Sequence, residues 1–479
     1  MAMEEALLGK KCEEKTWPTR NGLKEELKKL TSMAAPMVVV SVCQYLLQVV
    51  SVMMAGHIDE LSLSGVALAN SFTNVTGFSL LIGMAGAMET LCGQAYGAGQ
   101  YEKLGTYTYS AMISLLLVCL PVSLLWIFVE KLLVFIGQDP LISHEAGKYS
   151  ILLIPALFAS AILQSLLRYF QCQGLILPML LSSVSTLCFH IPICWTLVHK
   201  LELGSTGAAI SICIAYWLSV TFLALYMKYS SYCEKTLVAF STDAFLRIKE
   251  FLCFAVPSAL MVCLEWWSFE LIIFLSGLLP NPKLETSVLT ICLTTTSLHY
   301  FIPYGVGAAA SIRVSNELGA GNSQAAQMAV YVAVVVVVIE AAVLSMILFC
   351  CRSVLGYAYS NEMEVVAYVQ RVTPLLSLSF IMDSLLAVLS GIARGCGWQD
   401  LGAYSNLGSY YLIGIPIATI LGFLLKLRAS GLWMGILIGS TVQVVLLVLI
   451  TSFTNWQKQA IKARERIFKE TTNDKSFLA

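Results

Sequence analysis

Two acidic residues lie deep inside long apolar runs of this chain, where a charged side chain is costly. Glu265 lies fifteen residues into the run 250–279, and Asp383 lies midway through the run 364–391. An ionisable group at bilayer depth costs several kcal/mol, so it is a functional candidate by default. Burial favours the protonated form of a carboxyl group, and two such groups can share a proton or a cation. The pair predicts reversible proton or cation binding; the alternative is that each acid only hydrogen-bonds a neighbouring helix.

The composition places these acids in a membrane protein. The chain has 479 residues, of which 58% are hydrophobic and only 12% are charged, with 29 Lys and Arg against 29 Asp and Glu. A soluble domain carries about a quarter charged residues, and a nucleic-acid-binding protein needs a basic surplus. An ordinary cytosolic enzyme, a disordered protein and a nucleic-acid binder are therefore excluded.

Cysteine usage and short motifs point away from disulfides, metals and nucleotides. The fifteen cysteines are odd in number, form no C-x-x-C pair and lie mostly in apolar runs. We expect them to behave as small hydrophobic side chains rather than a disulfide framework. No metal-ligand spacing and no phosphate-binding glycine loop occurs, so we expect no metal, no catalytic residues, no nucleotide and no cofactor.

Twelve apolar runs are long enough to cross a bilayer, since a spanning helix needs about 20 mostly apolar residues. The predicted spans are 33–55, 64–90, 106–129, 149–170, 176–198, 207–228, 250–279, 287–311, 327–351, 364–391, 403–425 and 430–454. The loops between them are too short for a soluble domain. The expected organisation is an N-terminal tail 1–32, a first lobe 33–228, an interlobe loop 229–249, a second lobe 250–454 and a C-terminal tail 455–479.

The distribution of Lys and Arg predicts the orientation. With twelve spans both termini share one side, and that side holds twenty Lys and Arg residues against seven in the opposite loops. Because basic residues concentrate in cytoplasmic loops, both termini are expected to be cytoplasmic.

The chain contains two similar halves. The matched positions are Pro36 with Pro257, Gly83 with Gly305, Gly97 with Gly319 and Pro155 with Pro374, at offsets between 219 and 222. Gly and Pro are common in membrane helices, which is the alternative explanation, but nearly constant offsets over three spans favour a repeat. Halves of six spans form parallel repeats about an axis along the membrane normal. This architecture is typical of alternating-access transporters, whose site lies between the halves near the midplane.

The repeat places amides of the first half opposite the acids of the second. Gln44 lies opposite Glu265, and Gln164 lies opposite Asp383. Five residues form a candidate secondary proton or polar network: Gln44, Gln164, Glu270, Glu340 and Asn70. Glu270 follows Glu265 by five residues, about 140° round the helix, so we expect it to bond a neighbouring span.

Other polar groups are assigned structural roles. His190 and His299 are expected to be interhelical hydrogen-bonding residues. Glu89 and Arg313 lie at the ends of predicted spans, where long side chains reach water at little cost.

Prolines and aromatic residues could shape a cavity near the acids. Pro303 is expected to break span eight and, with Pro257 and Pro36, to permit helix bending, because proline removes a backbone hydrogen bond. Four aromatic residues could line a cavity for planar or cationic ligands, with packing between helices as the alternative: Trp266, Tyr300, Tyr304 and Tyr410.

With these residues identified, the sequence resembles the multidrug and toxic compound extrusion transporters, and specifically their plant branch. The resemblance covers Pro36 to the end of span twelve. It is carried by ETLCGQAYGAG at 89–99, CLEWW at 263–267, VSNELGAG at 314–321 and GIARGCGWQ at 391–399.

The resemblance implies two six-helix lobes in a V and export of organic solutes in exchange for H⁺ or Na⁺. It also implies a plasma-membrane or vacuolar location. The acidic pair of the family on spans seven and ten maps onto Glu265 and Asp383. The first-lobe aspartate of some prokaryotic members has no match, since Ser41 and Gln44 occupy that region. The long loop between spans two and three of citrate-exporting plant members is also missing, which disfavours citrate.

The sequence therefore predicts an all-α integral membrane antiporter, not an enzyme. It would export drug-like cations or plant secondary metabolites from the cytosol, with H⁺ as the coupling ion. Its partners would be a small organic substrate and membrane lipid, with no nucleic acid or nucleotide, and we expect a monomer. The alternatives are Na⁺ coupling within the same family, or a transporter of the major-facilitator type.

Overall fold

In the computed structural model the described residues, 20–477, with side chains through 468, form helices joined by short connections, and no strand occurs among them. Residues 1–19 of the expected N-terminal tail lie outside this part. The main helices, in chain order, are α1 (Arg20–Gly56), α2 (Glu60–Gly97), α3 (Tyr101–Ile127), α4 (the pair Pro140–Leu152 and Ile154–Cys172), α5 (Ile176–Lys200), α6 (Gly204–Tyr229), α7 (Ile248–Ser276), α8 (Pro282–Gly319), α9 (Ser323–Cys350), α10 (Met363–Cys396), α11 (Gln399–Leu424), α12 (Arg428–Ser452) and α13 (Trp456–Phe477).

Each predicted span falls within one of the helices α1 to α12, give or take a few residues at its ends. In the described part of the chain ten of these helices are long and apolar enough to cross a membrane, and α4 makes eleven if its two parts form one bent span. The remaining helix, α8, has 38 residues but is not among the eleven. Its predicted span contains several threonines and His299, which make it more polar than the others.

The polar segments next to the outermost spans are helical as well. Helix α1 already includes Arg20, the first described residue, thirteen residues before the predicted edge of the first span. Helix α13 occupies most of the predicted C-terminal tail, and it buries Ala460, Ala463 and Ile467 on one face. Residues three or four apart share one face of a helix, so this amphipathic helix packs its apolar face against the bundle, contacting α8 and α9.

The chain is interrupted next to a proline other than Pro303, the residue expected to break a span. The two parts of α4 meet at 47° around Leu153, just before Pro155. In contrast α8 runs through Pro303 without interruption, as α7 and α1 do through Pro257 and Pro36. The expected break of span eight at Pro303 is therefore wrong. One missing N–H leaves the remaining helical hydrogen bonds intact, and neighbouring helices stabilise such positions.

Close backbone contacts between α2 and α8 are reciprocal. A β-carbon added to Gly97 of α2 would overlap the carbonyl of Asn316, and one added to Gly319 of α8 would overlap the carbonyl of Gln94. Gln94 and Asn316 are 222 residues apart, as are Gly97 and Gly319. A contact repeated with its partners exchanged is what a two-fold relation between the halves produces.

A second pair of contacts is also repeated with the two halves exchanged. A β-carbon on Gly83 would lie 2.7 Å from the Cα atom of Ala259 in α7, and one on Gly305 would lie 2.6 Å from Cγ2 of Val38 in α1. Helix α2 of the first half thus packs on α7 of the second half, and α8 of the second half packs on α1 of the first half.

We expect Gly97→Ala to destabilise the protein by about 1–3 kcal/mol, because the added carbon forces α2 and α8 apart. Thermal unfolding in detergent measures the change. Gly408→Ala is the matched control, since no atom lies within 4 Å of a β-carbon at that position. Equal stability of the two variants would contradict the close crossing.

Candidate functional site

The two acids singled out by the sequence lie near each other on α7 and α10. Glu265 of α7 and Asp383 of α10 are each 8% exposed and lie within electrostatic range of each other. Among the described residues neither carboxylate has a hydrogen bond or an ion pair. Since a buried charge without a partner is strongly disfavoured, these groups are suited to take up a proton or a cation.

Tyrosines surround the acids. The hydroxyls of Tyr300 and Tyr410 both lie within electrostatic range of Glu265 and Asp383. The ring of Tyr304 lies 5.9 Å from that of Tyr300. Three of the four predicted aromatic residues are therefore gathered here.

The fourth aromatic residue, Trp266, is placed differently. It is 40% exposed and takes no part in the polar contacts around the acids within the described structure. The rotation of α7 determines which side chain points inward. Because neighbouring residues on a helix are about 100° apart, burying Glu265 directs Trp266 to another face.

The backbone that carries Glu265 is held by α11 and α12. Asn406 donates from Nδ2 to the carbonyl of Met261 at 2.5 Å, and Gln443 in turn donates to the side chain of Asn406. Tyr411 donates to the carbonyl of Leu264 at 3.2 Å. Met261 is four residues before Glu265, so its carbonyl is the helical acceptor for the Glu265 N–H. Asn406 and Gln443 hold this turn in place, and sequence reasoning missed their role because neither residue is charged.

The amides of the first half form a separate polar cluster. Gln44 and Gln164 line a cavity of about 30 Å³ together with Ser183, Tyr216 and Ser219. This volume is on the scale of one water molecule. Asn70 also lies in the first half, beside the buried hydroxyl of Tyr149.

The remaining predicted acids are bonded to neighbouring helices. Glu270 accepts a hydrogen bond from Ser71 of α2 at 3.3 Å, so it faces the first half. Glu340 of α9 pairs with Nε2 of His299 at 3.0 Å and accepts a hydrogen bond from Ser384 at 2.9 Å.

A buried charge network that the sequence did not reveal joins the two halves. Glu89 is 1% exposed and lies between two arginines, 2.6 Å from Nη1 of Arg168 and 2.9 Å from Nε of Arg394. Ser311 donates to the same carboxylate at 2.6 Å. Glu89 and Arg168 belong to the first half, whereas Arg394 and Ser311 belong to the second.

The expectation that Glu89 reaches water at a span end is wrong. Helix α2 continues eight residues past Glu89 to Gly97, and the ends of α4, α8 and α10 enclose it. Arg313 is also ion-paired, with two bonds to Glu26 at 2.7 and 2.8 Å. In both cases the helices extend beyond their apolar runs. The signal available in the sequence was Arg168, a basic residue inside predicted span four.

Further polar contacts join the halves around Glu89. Thr90 donates to the carbonyl of Arg394, and Gln94 donates to the carbonyl of Gly395 at 3.1 Å. Arg466 of α13 donates to Gln94 at 2.7 Å. The halves are therefore fastened together at the end of the bundle where α13 packs.

Comparison with known proteins identifies the class. Residues 36–196 and 257–420 match the MatE family model. Protein DETOXIFICATION 8 of Arabidopsis thaliana is 57% identical over 445 residues, 93% of this chain and 92% of that protein. Protein DETOXIFICATION 14 of the same plant is 56% identical over 456 residues, 95% of this chain and 94% of that protein.

Solved structures of the same family are similar to this chain. The crystal structure of the eukaryotic MATE transporter AtDTX14 is 57% identical and has a TM-score of 0.90, covering 93% of this chain and 100% of that chain. A multidrug resistance MATE family transporter of the MOP superfamily, in an outward-facing conformation, is similar in fold alone, at 16% identity and a TM-score of 0.80 over 92% of this chain and 97% of that chain.

The chain belongs to the MatE family. The predicted resemblance and helical membrane fold are thereby confirmed. It is a multi-pass integral membrane transporter and not an enzyme.

We expect Glu89→Gln to destabilise the protein by about 3–5 kcal/mol, because removing one partner leaves buried charges uncompensated. Thermal unfolding in detergent measures the loss, and Glu102→Gln, at an exposed position, is the control. Adding Arg394→Gln should recover part of the loss, since one of the two stranded charges is then removed. A single variant as stable as the control would show that the network contributes little.

Proposed function

We propose that this chain is an antiporter that exports small organic solutes from the cytosol in exchange for protons. Glu265 and Asp383 are the coupling groups. The observation that carries the proposal is this pair of buried carboxylates on α7 and α10, near each other and with no bonded partner in the described structure. Two like charges within electrostatic range of each other repel in a medium of low dielectric, so the pair is suited to bind a cation or a proton.

Exchange follows because the substrate and protons compete for Glu265 and Asp383. While the acids are ionised they attract a cationic substrate, and the faces of Tyr300 and Tyr304 add cation–π attraction. Protonation removes the negative charge and with it the attraction for the substrate. A site that holds either the substrate or protons, but not both, exchanges one for the other across the membrane.

Alternating access requires the contacts between the two halves around Glu89 to open. The acids become accessible from the α13 end only if the contacts of Glu89 with Arg394 and Ser311 break. We assign the present arrangement to the state that is closed on this side. Bending of α7 and α8 near Pro257 and Pro303 would then accompany the release of substrate on the other side.

Sequence and relatives support the direction and the class of substrate. Basic residues are concentrated on the side of both termini, which favours a cytoplasmic position for the α13 end. The Arabidopsis relatives are named detoxification proteins. We propose drug-like cations and plant secondary metabolites as substrates, and the plasma or vacuolar membrane as the location.

The test uses purified protein in liposomes with an imposed pH gradient and a fluorescent organic cation. Proton-driven uptake by Glu265→Gln and by Asp383→Asn should fall at least about tenfold, because an amide does not exchange a proton near neutral pH. Glu102→Gln, at an exposed position, should match the wild type.

Each measurement is repeated with a sodium gradient in place of the pH gradient. Uptake driven only by a sodium gradient would show that the coupling ion is Na⁺ and not H⁺. Undiminished proton-driven uptake by either variant would refute the proposed role of the acids.

A further inference from the structure

A second titratable cluster lies behind the acid pair, on three helices of the second half. His299 of α8, Glu340 of α9 and Ser384 of α10 form a closed set of contacts. Nε2 of His299 lies 3.0 Å from Oε1 of Glu340, and Ser384 donates to Oε2 of the same carboxylate at 2.9 Å. The Ser384 hydroxyl also lies 3.2 Å from His299 Nε2.

This cluster is at membrane depth and largely sealed from solvent. Glu340 is the eighteenth of the 28 residues of α9, and His299 is the eighteenth of the 38 residues of α8. The His299 side chain is 2% exposed, and its ring stacks on Phe380 with the centroids 3.9 Å apart. Its Nδ1 atom is buried and has no hydrogen-bond partner among the described residues. The imidazole therefore has one bonded nitrogen and one with a free position.

The cluster adjoins the acid pair through the chain itself. His299 precedes Tyr300, whose hydroxyl lies within electrostatic range of Glu265 and Asp383. Ser384 follows Asp383 directly. Helix α10, which carries Asp383, and helix α8, which carries Tyr300 near the pair, therefore also build this cluster, so a change of charge at one site acts on the helices of the other.

Few other ionisable groups surround the cluster. Those that face this part of α8 and α10 are Tyr45 of α1, Tyr359 ahead of α10, Glu265 of α7, and Tyr300 and Asp383 on the same helices. Helix α9 carries no charged residue other than Glu340, and α12 carries only Arg428, at its first residue. No basic side chain is bonded to Glu340 besides His299 within the described structure. The charge of this site is therefore determined mainly by whether the His299–Glu340 pair holds its shared proton.

We propose that His299 and Glu340 form a second proton-binding site, so that each transport cycle moves one proton more than the acid pair alone carries. This inference rests on the proposed proton exchange. With one proton more than the neutral imidazole itself carries, the imidazole and the carboxylate together have no net charge. When the proton leaves to the aqueous side, a neutral imidazole and a carboxylate remain, and the hydroxyl of Ser384 stabilises that carboxylate by its hydrogen bond.

The test measures how many protons accompany the substrate. Protein in liposomes is given a pH gradient of one unit with the membrane potential clamped at zero. The concentration ratio of a fluorescent organic cation at which net flux stops is then determined. Each coupled proton contributes the free energy of one pH unit, so loss of one proton lowers this limiting ratio about tenfold. We expect that tenfold decrease for Glu340→Gln.

Glu285→Gln is the matched control. Glu285 is also a fully buried acid of α8 and is bonded to Tyr368 and to the backbone of Ala429, away from this cluster. Its replacement should leave the limiting ratio unchanged. His299→Gln removes the other titratable partner and should reproduce the decrease. If Glu340→Gln does not fold, the limiting ratio of His299→Gln tests the proposal in its place.

The outcomes separate this inference from the proposed function. If Glu340→Gln and His299→Gln are slower or less stable but keep the wild-type ratio, the pair is structural and the inference fails. If Asp383→Asn also keeps the wild-type ratio, the proposed coupling through the acid pair fails as well. Loss of coupling in Asp383→Asn together with a tenfold decrease in Glu340→Gln supports both.

Discussion

A charge that leaves water for the interior of a helix bundle must be paired or neutralised, because its hydration is lost. This requirement sorts the buried ionisable groups of the transporter into two kinds. Glu89 is satisfied by two arginines and a serine, so its charge is permanent and fastens the halves together. Glu265 and Asp383 have no such partners in the described structure. Their charge is open to exchange, and that makes them suited to coupling.

The permanent charges depend on backbone geometry. Glu89 reaches Arg394 and Ser311 because α2, α8 and α10 approach so closely that β-carbons are excluded at Gly97 and Gly395. Glycine at these positions therefore has a consequence beyond packing density, since it brings together charges that are far apart in the sequence. The reciprocal crossing of α2 and α8 also places the junction on the axis that relates the halves. A movement of one half against the other has to pass through these contacts.

The sequence predicted well what depends on local composition. Helices α1 to α12 cover the predicted spans, and up to eleven of them are apolar enough to cross a membrane in the described part of the chain. The burial of Glu265 and Asp383 near each other follows from the cost of charge in a membrane. Sequence reasoning failed where the outcome depends on how far helices extend beyond the apolar runs. Glu89 and Arg313 were placed in water because the apolar runs end near them, whereas the helices continue and other helices cover them. The interruption at Pro155 and the continuity at Pro303 likewise depend on neighbouring helices.

The two halves share a backbone plan but differ in the charge of their buried polar groups. Gln44 and Gln164 take the places of the acids in the first half and line a space for about one water molecule. An amide pair keeps the same charge at every pH near neutrality, so the first half provides a fixed frame. Every membrane-depth acid that lacks an arginine partner among the described residues lies in the second half. In the proposed exchange, proton uptake there would change the balance of forces on α7, α8 and α10, the same helices that contact the first half around Glu89.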